Sequence, residues 1–526
     1  MRKPAVILLL LSLMSVSLTA QPSGWGQWEK WGAQPDGTYH NPVLPADFSD
    51  LDCIRVGDDY YAITSTFQYS PGMAVVHSKD LVNWEVIGHA VEDIRQIGPE
   101  MNWDRMDRYG RGIWAGTIRH HNGKFYVLFG TPDEGFFTTW AENPAGPWAP
   151  LTNILPEAGW DDCSAIWDDD GQAWFIGTLF RDRLYESYIF KMASDCSSID
   201  RSSAVLVNKG DGREASKLIK VDGWYYNIYS RTGRGVRYMV AKRAKSMSGP
   251  WSEEKQITAP NVESNQPNQG GMIEGSDGKW YFFTHHGKGD WEGRAASLLP
   301  VTWIDGWPIP GRVGDDGLGY MQWAGNMPLE KAGKKNVDYW DDFREKSLNA
   351  DWEWNYYPRN ELWSLSARKG WLRMNAVKPL KENDFKKIPN ILTQRVYRTP
   401  HNEVTVKMDV SGMEEGQTAG LCHYARTYAY IGVSFADKKC NVVFNDNGKP
   451  ETVNIGKARN IWLRSVWGLD GLSRFSYSTN GKNFTDFGSP YQFTWGNYRG
   501  TRVGLFSFNE EEKGYADIDY FEYKKR

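Results

Sequence analysis

Asp50, Asp162 and Glu214 stand at nearly the same place in three copies of one recurring sequence unit. Asp162 precedes Gly171 by nine residues, Glu214 precedes Gly223 by nine, and Asp50 precedes the glycine of its own unit by seven. Carboxyl groups can divide proton donation and proton abstraction between them, because neighbouring charges keep one protonated while another is ionised. If the units fold alike, the three acids meet, and the spacing predicts a shared acid–base site.

The recurring unit is a Gly-x-x-aromatic turn that opens a short run of alternating aromatic and aliphatic residues, as in a β-hairpin. Its glycines recur about every 50 to 65 residues, close to the ~40–55 residues of propellers with one blade per repeat. Five copies predict five blades around one axis. Trp114 and Gln269 stand nine residues before the glycine in the other two blades, so they should join the acids at one mouth of the channel. The five glycines are Gly57, Gly123, Gly171, Gly223 and Gly278.

The chain of 526 residues exceeds what one hydrophobic core usually supports, which predicts two domains. From 38 to 326, short strands alternate with Gly, Pro, Asn and Asp turns, and this range is the predicted five-bladed β-propeller. Residues 339–526 carry longer alternating strands, the pattern of an antiparallel β-sandwich. The predicted fold class is therefore all-β.

Composition narrows the function classes. A formal net charge of −4 gives no reason to expect nucleic acid or an anionic membrane as a partner. Residues 1–20 resemble a signal peptide, because Arg2 and Lys3 precede an apolar run that is too short for a membrane span. We therefore expect export to a periplasm or beyond, without a membrane anchor.

The five cysteines are too few for a disulfide framework in a chain of this length. Cys422 and Cys440 flank a predicted hairpin and are the candidate pair. Cys53 and Cys163 lie close in sequence to two of the acids, where a nucleophilic thiol is conceivable, although buried inert cysteine is the commoner case.

Two carboxyls on either side of a scissile bond are the usual apparatus of glycoside hydrolysis, in which one protonates the leaving oxygen and the other activates water. A third acid beside the proton donor raises the donor's pKa, because like charges in one pit resist joint ionisation. Acids on separate blades can stand about 6.5–9.5 Å apart, which leaves room for a water in inverting hydrolysis. No zinc or EF-hand spacing predicts a metal site.

Five ordered motifs over residues 38–320 resemble those of glycoside hydrolase family 43. They are Ser49-Asp50-Leu51-Asp52, Trp114-Ala115-Gly116-Thr117, Trp160-Asp161-Asp162, Glu214-Ala215-Ser216-Lys217 and Trp291-Glu292-Gly293-Arg294. The chain departs from the common pattern after each acid: Asp-Pro becomes Asp50-Leu51 and Asp162-Cys163, and Glu-Gly-Pro becomes Glu214-Ala215-Ser216. The sandwich resembles the appended domain of exo-acting members, a loop of which can help to wall the pocket.

The resemblance implies an inverting enzyme that acts on pentose-containing plant glycans from hemicellulose or pectin. Asp50 would be the general base, Glu214 the general acid, and Asp162 the residue that raises the pKa of Glu214. No cofactor is implied as a requirement, while a structural Ca²⁺ in the propeller channel is left open. The expected product is a terminal pentose, with α-L-arabinofuranose favoured over β-D-xylose. The residues expected to contact the sugar are Arg294, Phe67, Trp114, Gln269 and His286, with His285 as the alternative to His286.

Two other interpretations stay open on the sequence. A non-catalytic glycan-binding protein would have no use for a carboxyl with a raised pKa. A sugar phosphorylase would need a cluster of Arg, Lys and His for phosphate, and the sequence suggests only Arg294 and the His pair.

Overall fold

The computed structural model describes residues 26–526 with gaps at 183, 234, 261–266, 287–288, 330–332, 334 and 336, and only the backbone of 268 and 286. The expected signal peptide at 1–20 lies outside the described residues. Strands dominate, so the all-β prediction is confirmed. Among the residues described, no helix has the length and apolar character that crossing a membrane requires. The helical segments are single 3₁₀ turns at Trp28–Lys30, Ile94–Gln96, Pro99–Met101, Asn360–Leu362 and Phe385–Lys387.

Five four-stranded antiparallel sheets form the propeller, each from one stretch of chain. Blade one consists of Asp52–Val56, Asp59–Thr64, Gly72–Ser78 and Trp84–Val91. Blade two consists of Gly116–His121, Lys124–Thr131, Gly135–Ala141 and Thr152–Leu155, and blade three of Trp160–Trp167, Ala173–Arg181, Leu184–Met192 and Ile199–Asp211. Blade four consists of Glu214–Val221, Trp224–Gly233, Val236–Ala244 and Lys255–Gln256, and blade five of Pro267–Glu274, Trp280–His286, Ala296–Ile304 and Trp307–Pro310.

The glycine of each recurring unit lies in the tight turn between the first two strands of its blade. All five glycines have φ between 64° and 84°, a conformation that other residues adopt only at a steric cost. The turn therefore ends the innermost strand of every blade in the same way. Residues at an equal distance before the turn consequently lie at equal depth in the channel.

Aromatic side chains fill the space between neighbouring blades. Phe136 of blade two meets Phe175 of blade three edge-on, with ring centroids 4.9 Å apart. Where blade five packs on blade one, Phe283 stacks on Trp84 at 4.5 Å. Such ring pairs contribute about 0.5–1.5 kcal/mol each beyond their area burial, which accounts for part of the high aromatic content.

Two larger sheets follow the propeller and enclose an apolar core with Val406 and Leu421 at its centre. The nine-stranded sheet has the order Trp363–Ser364, Leu372–Asn375, Tyr515–Lys525, Asn402–Asp409, Asn460–Trp467, Leu472–Ser478 and Thr485–Asp486, with Asp338–Asp341 and Tyr491–Gln492 paired beside it. The eight-stranded sheet has the order Lys449–Gly456, Lys439–Asp446, Tyr428–Ala436, Thr418–Tyr424, Arg502–Phe508, Leu392–Arg395, Glu353–Asn355 and Tyr69–Ser70. Shorter strands at Gly32–Ala33, Thr38–His40 and Ala324–Asn326 form a third sheet, and Arg312–Val313 pairs with Gly319–Tyr320.

The two domains share a sheet and a buried ion network. The short strand Tyr69–Ser70 of the propeller pairs with Glu353–Asn355 of the sandwich. The Glu353 carboxylate lies 3.1 Å from His89, 2.9 Å from Arg395 and 3.0 Å from Arg502, and the Glu353 and Arg502 side chains are fully buried. Because a buried charge is tolerated only with partners, this network fixes the sandwich on the propeller.

The candidate pair Cys422 and Cys440 does not form a disulfide, since all five cysteines are free and buried. Cys422 lies opposite Tyr430, and Cys440 lies opposite Phe435. The strand Tyr428–Ala436 therefore separates the two cysteines by two strand spacings, about 9.5 Å, which exceeds the Cα distance of a disulfide.

Candidate active site

The three acids lie at one mouth of the channel, where each acid is close enough to feel the charge of another. Asp50 comes just before the innermost strand of blade one, Asp162 lies in that of blade three, and Glu214 begins that of blade four. Trp114 lies just before the innermost strand of blade two, and Gln269 lies in that of blade five. The structure therefore brings together the five residues that the repeat offset predicts.

Irregular strand register aims several of these side chains into the pit. A bulge leaves a residue out of the ladder and re-aims its side chain. Asp162 and Gln269 both lie inside such bulges, and Glu214 lies at the edge of one. The bulges run from Asp161 to Cys163, from Glu214 to Lys217 and from Pro267 to Gly270.

Left-handed backbone also marks the pit. The φ angle is 57° at Asp50, 49° at Asp162 and 67° at Ala215. Each non-glycine residue in this region costs about 1–2 kcal/mol. Such strain persists where the surrounding structure holds it, and it concentrates at functional sites.

Asp50 is held by three contacts. Its Oδ1 accepts from the Arg294 guanidinium at 2.7 Å, and its Oδ2 accepts from the Ser65 hydroxyl at 2.7 Å. The backbone N–H of Asp50 donates to Nδ1 of His285 at 3.0 Å. The guanidinium and the hydroxyl together fix the orientation of both carboxyl oxygens of Asp50.

Asp162 links two neighbouring groups of the ring. Its Oδ2 accepts from the Ala215 N–H at 2.8 Å, and its Oδ1 accepts from the Gln269 side-chain amide at 3.0 Å. Burial raises the pKa of Asp162, and the Ala215 N–H and the charge of Lys217 oppose that rise. The geometry places the Asp162 carboxyl directly beside the residue that follows Glu214.

Glu214 is one-quarter exposed at the wall of the pit and pairs with Arg237 at 2.5 Å. Burial raises the pKa of Glu214 to about 7, Arg237 opposes the rise, and the charge of Asp162 adds to it. A carboxyl that keeps its proton to near-neutral pH can serve as a general acid. Asp50 and Glu214 are thus each paired with an arginine, and burial together with the charge of Asp162 raises the pKa of Glu214 despite its partner.

A fourth carboxyl, Asp161, lies beside the three. The sequence offered no reason to place Asp161 in the site, and its side chain is buried next to Asp162. Burial and the charge of Asp162 raise the pKa of Asp161 well above its ordinary value. Its Oδ1 has no hydrogen-bond partner among the described residues. Both observations favour a protonated, neutral Asp161.

A loop of the sandwich contributes to the wall of the pit. Arg294 lies 4.9 Å from the ring centroid of Tyr498, whose side chain is exposed at the mouth. Arg499 lies 4.4 Å from the centroid of Phe67 and donates to the carbonyl of Thr66 at 2.9 Å. Phe67 is itself buried. The sandwich therefore supports the propeller residues that line the pit.

The remaining expectations concern the histidines and a metal. His286 ends the second strand of blade five, and its side chain lies outside the described residues, whereas His285 contacts Asp50. Within the described ranges, no group of three His, Cys, Asp or Glu residues could hold a metal ion. The channel below the acids instead holds the cations of Arg119 and Lys217. Two fixed cations do not fit a Ca²⁺ at that level.

Both thiols near the acids lie inside the protein rather than in the pit. The Cys53 thiol donates to the Gly271 carbonyl, and the Cys163 thiol donates to the Leu128 carbonyl. Burial raises the pKa of both thiols. Because the thiolate is the nucleophilic form, neither cysteine suits nucleophilic catalysis.

A family model described as glycosyl hydrolases family 43 matches residues 39–308, which is just over half of the chain. The chain belongs to glycoside hydrolase family 43. A second model, described as the β-xylosidase C-terminal concanavalin A-like domain, matches residues 340–524. The two matches cover the propeller and the sandwich.

Named relatives cover most of the chain. A β-xylosidase of Formosa agariphila is 32% identical over 547 residues, spanning 94% of this chain and 92% of the relative. A non-reducing end α-L-arabinofuranosidase of Bacteroides ovatus is 30% identical, spanning 66% of this chain and 67% of the relative.

Solved structures of family 43 share the two-domain fold. A protein of Bacillus licheniformis superimposes with a TM-score of 0.78 at 27% identity, covering 93% of this chain and 100% of that one. A bifunctional GH43-CE protein of Bacteroides eggerthii gives a TM-score of 0.81 at 31% identity, covering 95% of this chain. The chain spans 64% of the length of that bifunctional protein.

The backbone at Ala215 bears on the departure from the Glu-Gly-Pro pattern noted in the sequence. Ala215 stands at the glycine position of that pattern and has a φ of 67°. Glycine reaches this conformation without a steric cost. Alanine at this position keeps the same backbone conformation and the N–H that donates to Asp162. Unlike glycine, it bears the steric cost of a left-handed backbone.

Sequence reasoning missed several residues of the site. Ser65 could have been found from the hairpin register, since Asp52 pairs with Ile63 and the next aligned pair on that face joins Asp50 to Ser65. No sequence signal pointed to Arg237, which reaches Glu214 from the third strand of the same blade. None pointed to Tyr498 either, which comes from the other domain.

Proposed function

We propose that this family 43 glycosidase is an inverting exo-acting enzyme that releases a terminal pentose, with β-D-xylose as the first candidate. The carrying observation is the pair of carboxyls Asp50 and Glu214 in one pit. Asp50 is paired with Arg294, and Glu214 has a pKa that burial and the charge of Asp162 raise to about 7 although Arg237 opposes the rise. One carboxylate and one carboxylic acid in the same pit are what acid–base hydrolysis of a glycoside requires.

In the proposed reaction, the terminal sugar occupies the pit, and Glu214 donates its proton to the leaving oxygen. Asp50 takes a proton from a water, whose oxygen attacks the anomeric carbon as the glycosidic bond breaks. Asp162 stays ionised and keeps the proton on Glu214 until transfer. Arg294 and Ser65 hold the carboxylate of Asp50 toward the water. The carboxyls supply every proton transfer, so we propose that the chemistry requires no cofactor.

The sequence favoured α-L-arabinofuranose, and we place β-D-xylose first because of the relatives. The Formosa agariphila protein, which aligns over nearly the whole chain, is named a β-xylosidase. α-L-Arabinofuranose is the second candidate, favoured by the Bacteroides ovatus relative. We propose xylose- or arabinose-containing plant glycans as the natural substrates, and export on the basis of residues 1–20.

A paired assay tests both the class and the sugar. Aryl β-D-xyloside and aryl α-L-arabinofuranoside are incubated with wild type, Asp50→Ala and Glu214→Ala, and product configuration is followed by NMR. We expect wild-type hydrolysis with inversion and losses of about 10³-fold or more in the variants, in line with the removal of a reacting group. An aryl leaving group of low pKa should restore Glu214→Ala more than Asp50→Ala, because such a group needs no acid.

The same assay separates the alternatives. Silence on both substrates together with intact glycan binding would indicate a glycan-binding protein. Activity that depends on phosphate would indicate a phosphorylase, although the two arginines of the pit are already paired with Asp50 and Glu214.

A further inference from the structure

Lys217 is a buried cation just below the catalytic carboxyls. It follows Glu214 by three residues on the innermost strand of blade four and is 3% exposed. Its ammonium donates to the Gly116 carbonyl of blade two at 2.5 Å and to the Cys163 carbonyl of blade three at 3.1 Å. A buried ammonium is costly unless charge and hydrogen bonds compensate it, so its counter-charge needs to be identified.

The anion near Lys217 is shared with another cation. Asp52 accepts from Arg119 at 2.7 Å, and Lys217 lies 4.0 Å from the same oxygen. One carboxylate therefore faces two cations. The next carboxyl along blade three is Asp162, the direct neighbour of Cys163. The thiols of Cys53 and Cys163 are also near Lys217, and both are buried. Further from Lys217, a cavity of about 470 Å³ at the opposite mouth of the channel is lined by Arg55, Lys220 and Glu274.

We propose that Lys217 is a positioning residue of this site, whose ammonium holds Asp162 as a carboxylate so that the proton of the acid pair resides on Glu214. This inference rests on the proposed function of the trio. Two cations, Arg119 and Lys217, are then balanced by two anions, Asp52 and Asp162. The ammonium also ties blades two, three and four together under the pit.

Burial alone would place the proton on the wrong acid. Asp162 is 5% exposed, whereas the Glu214 side chain is 25% exposed, so desolvation favours a neutral Asp162 over a neutral Glu214. The Ala215 N–H, the Gln269 amide and Lys217 act in the opposite direction and lower the pKa of Asp162. The other charged or titratable groups around the pair include Asp50, Asp161, Tyr185, Arg237 and Arg294.

The test is the pH dependence of kcat/KM on aryl β-D-xyloside for Lys217→Gln, which removes the charge and keeps a donor. Without Lys217, the last proton of the pair should reside on Asp162 in most molecules, so the plateau of kcat/KM should fall about tenfold, because this distribution between the two acids does not change with pH. The alkaline limb should move to higher pH by about one unit, because the pair has lost a cation and releases its last proton later. Lys217→Arg, which keeps the charge, should return the limb toward its wild-type position.

The fall of the plateau together with the shift is diagnostic. Loss of a positive charge acting directly on Glu214 would move the limb to higher pH without lowering the plateau, and that result would overturn the proposal. A lower rate with unmoved limbs would show a packing role alone and would also overturn it. Lys220→Met is the matched control, because Lys220 lies on the same strand, pairs with Asp168 at 3.0 Å and should leave the profile unchanged.

Two further measurements keep the inference testable. In an Asp162→Asn background, assayed on the same aryl β-D-xyloside, Lys217→Gln should not lower the plateau further, and a further tenfold fall would refute action through Asp162. If the Lys217 variants do not fold, ¹³C NMR of the carboxyl groups in wild type must show Asp162 losing its proton below Glu214. The reverse order of proton loss would refute the role of Lys217, whether or not wild type hydrolyses a pentoside. Failure to hydrolyse any pentoside would refute only the proposed function.

Discussion

Arg237 sets the pH at which the proposed general acid loses its proton, and Arg237→Met should show this directly. Arg237 lies 2.5 Å from a Glu214 oxygen, with 27% and 25% of the two side chains exposed. For a pair so exposed, an effective dielectric of about 40 gives roughly 3 kcal/mol of attraction. This corresponds to about two pKa units, of which we expect at least one to survive solvent screening and relaxation of the pit.

The sign follows from which form Arg237 stabilises. The guanidinium stabilises the carboxylate, so its removal raises the pKa of Glu214 above its present value of about 7. Glu214 then stays protonated to higher pH. The alkaline limb of kcat/KM should consequently move up by about one unit or more, while the acid limb, governed by the base, should stay.

The assay is a pH series of kcat/KM on an aryl pentoside, with Arg243→Met as the matched control. Arg243 lies on the same strand as Arg237 but packs on Trp224 and Trp307, away from the acids. An unmoved or lowered alkaline limb in Arg237→Met would refute the assignment of Glu214 as the titrating acid. A similar shift in Arg243→Met would show a general charge effect instead.

Three other perturbations test separate parts of the structure. Glu353→Gln should lower the free energy of unfolding at pH 7 by about 3–5 kcal/mol, because it leaves buried arginines unpaired. The arginines hold the pKa of Glu353 well below its ordinary value. The stability that Glu353 contributes is therefore fully present above its unfolded pKa, about 4.5, and is lost as the pH falls below it. The difference in unfolding free energy between wild type and Glu353→Gln, measured by urea titration, should shrink toward pH 3. A deficit that does not change with pH would contradict this. Ala215→Gly should raise stability by up to about 1 kcal/mol, since it relieves left-handed strain, and a lowered melting temperature would show that the strain is not the dominant cost. Asp161→Asn should keep turnover within about threefold of wild type, because a neutral Asp161 is replaced by a neutral amide, whereas a hundredfold loss would place its ionised form in the chemistry.

The repeat spacing predicted most of the propeller. A glycine turn in every blade, alternating strands and a similar offset of the acids, nine residues for Asp162 and Glu214 and seven for Asp50, are local signals. Each signal is kept in the folded chain because every blade packs against its neighbours in the same way. The ring of Asp50, Trp114, Asp162, Glu214 and Gln269 could be predicted for that reason. Whether Cys422 and Cys440 pair could not be predicted, because the sequence does not show that Tyr428–Ala436 lies between them.

The sequence alone determined which acids meet, since fold symmetry converts equal spacing into equal position. Only the tertiary structure decided how each acid is tuned. Arg294 and Arg237 reach their carboxyl partners from other strands or blades, Lys217 reaches the carbonyl beside Asp162 from another blade, and Tyr498 comes from the other domain. A pKa depends on burial and on charges within a few ångströms, and those distances exist only once blades and domains have packed together.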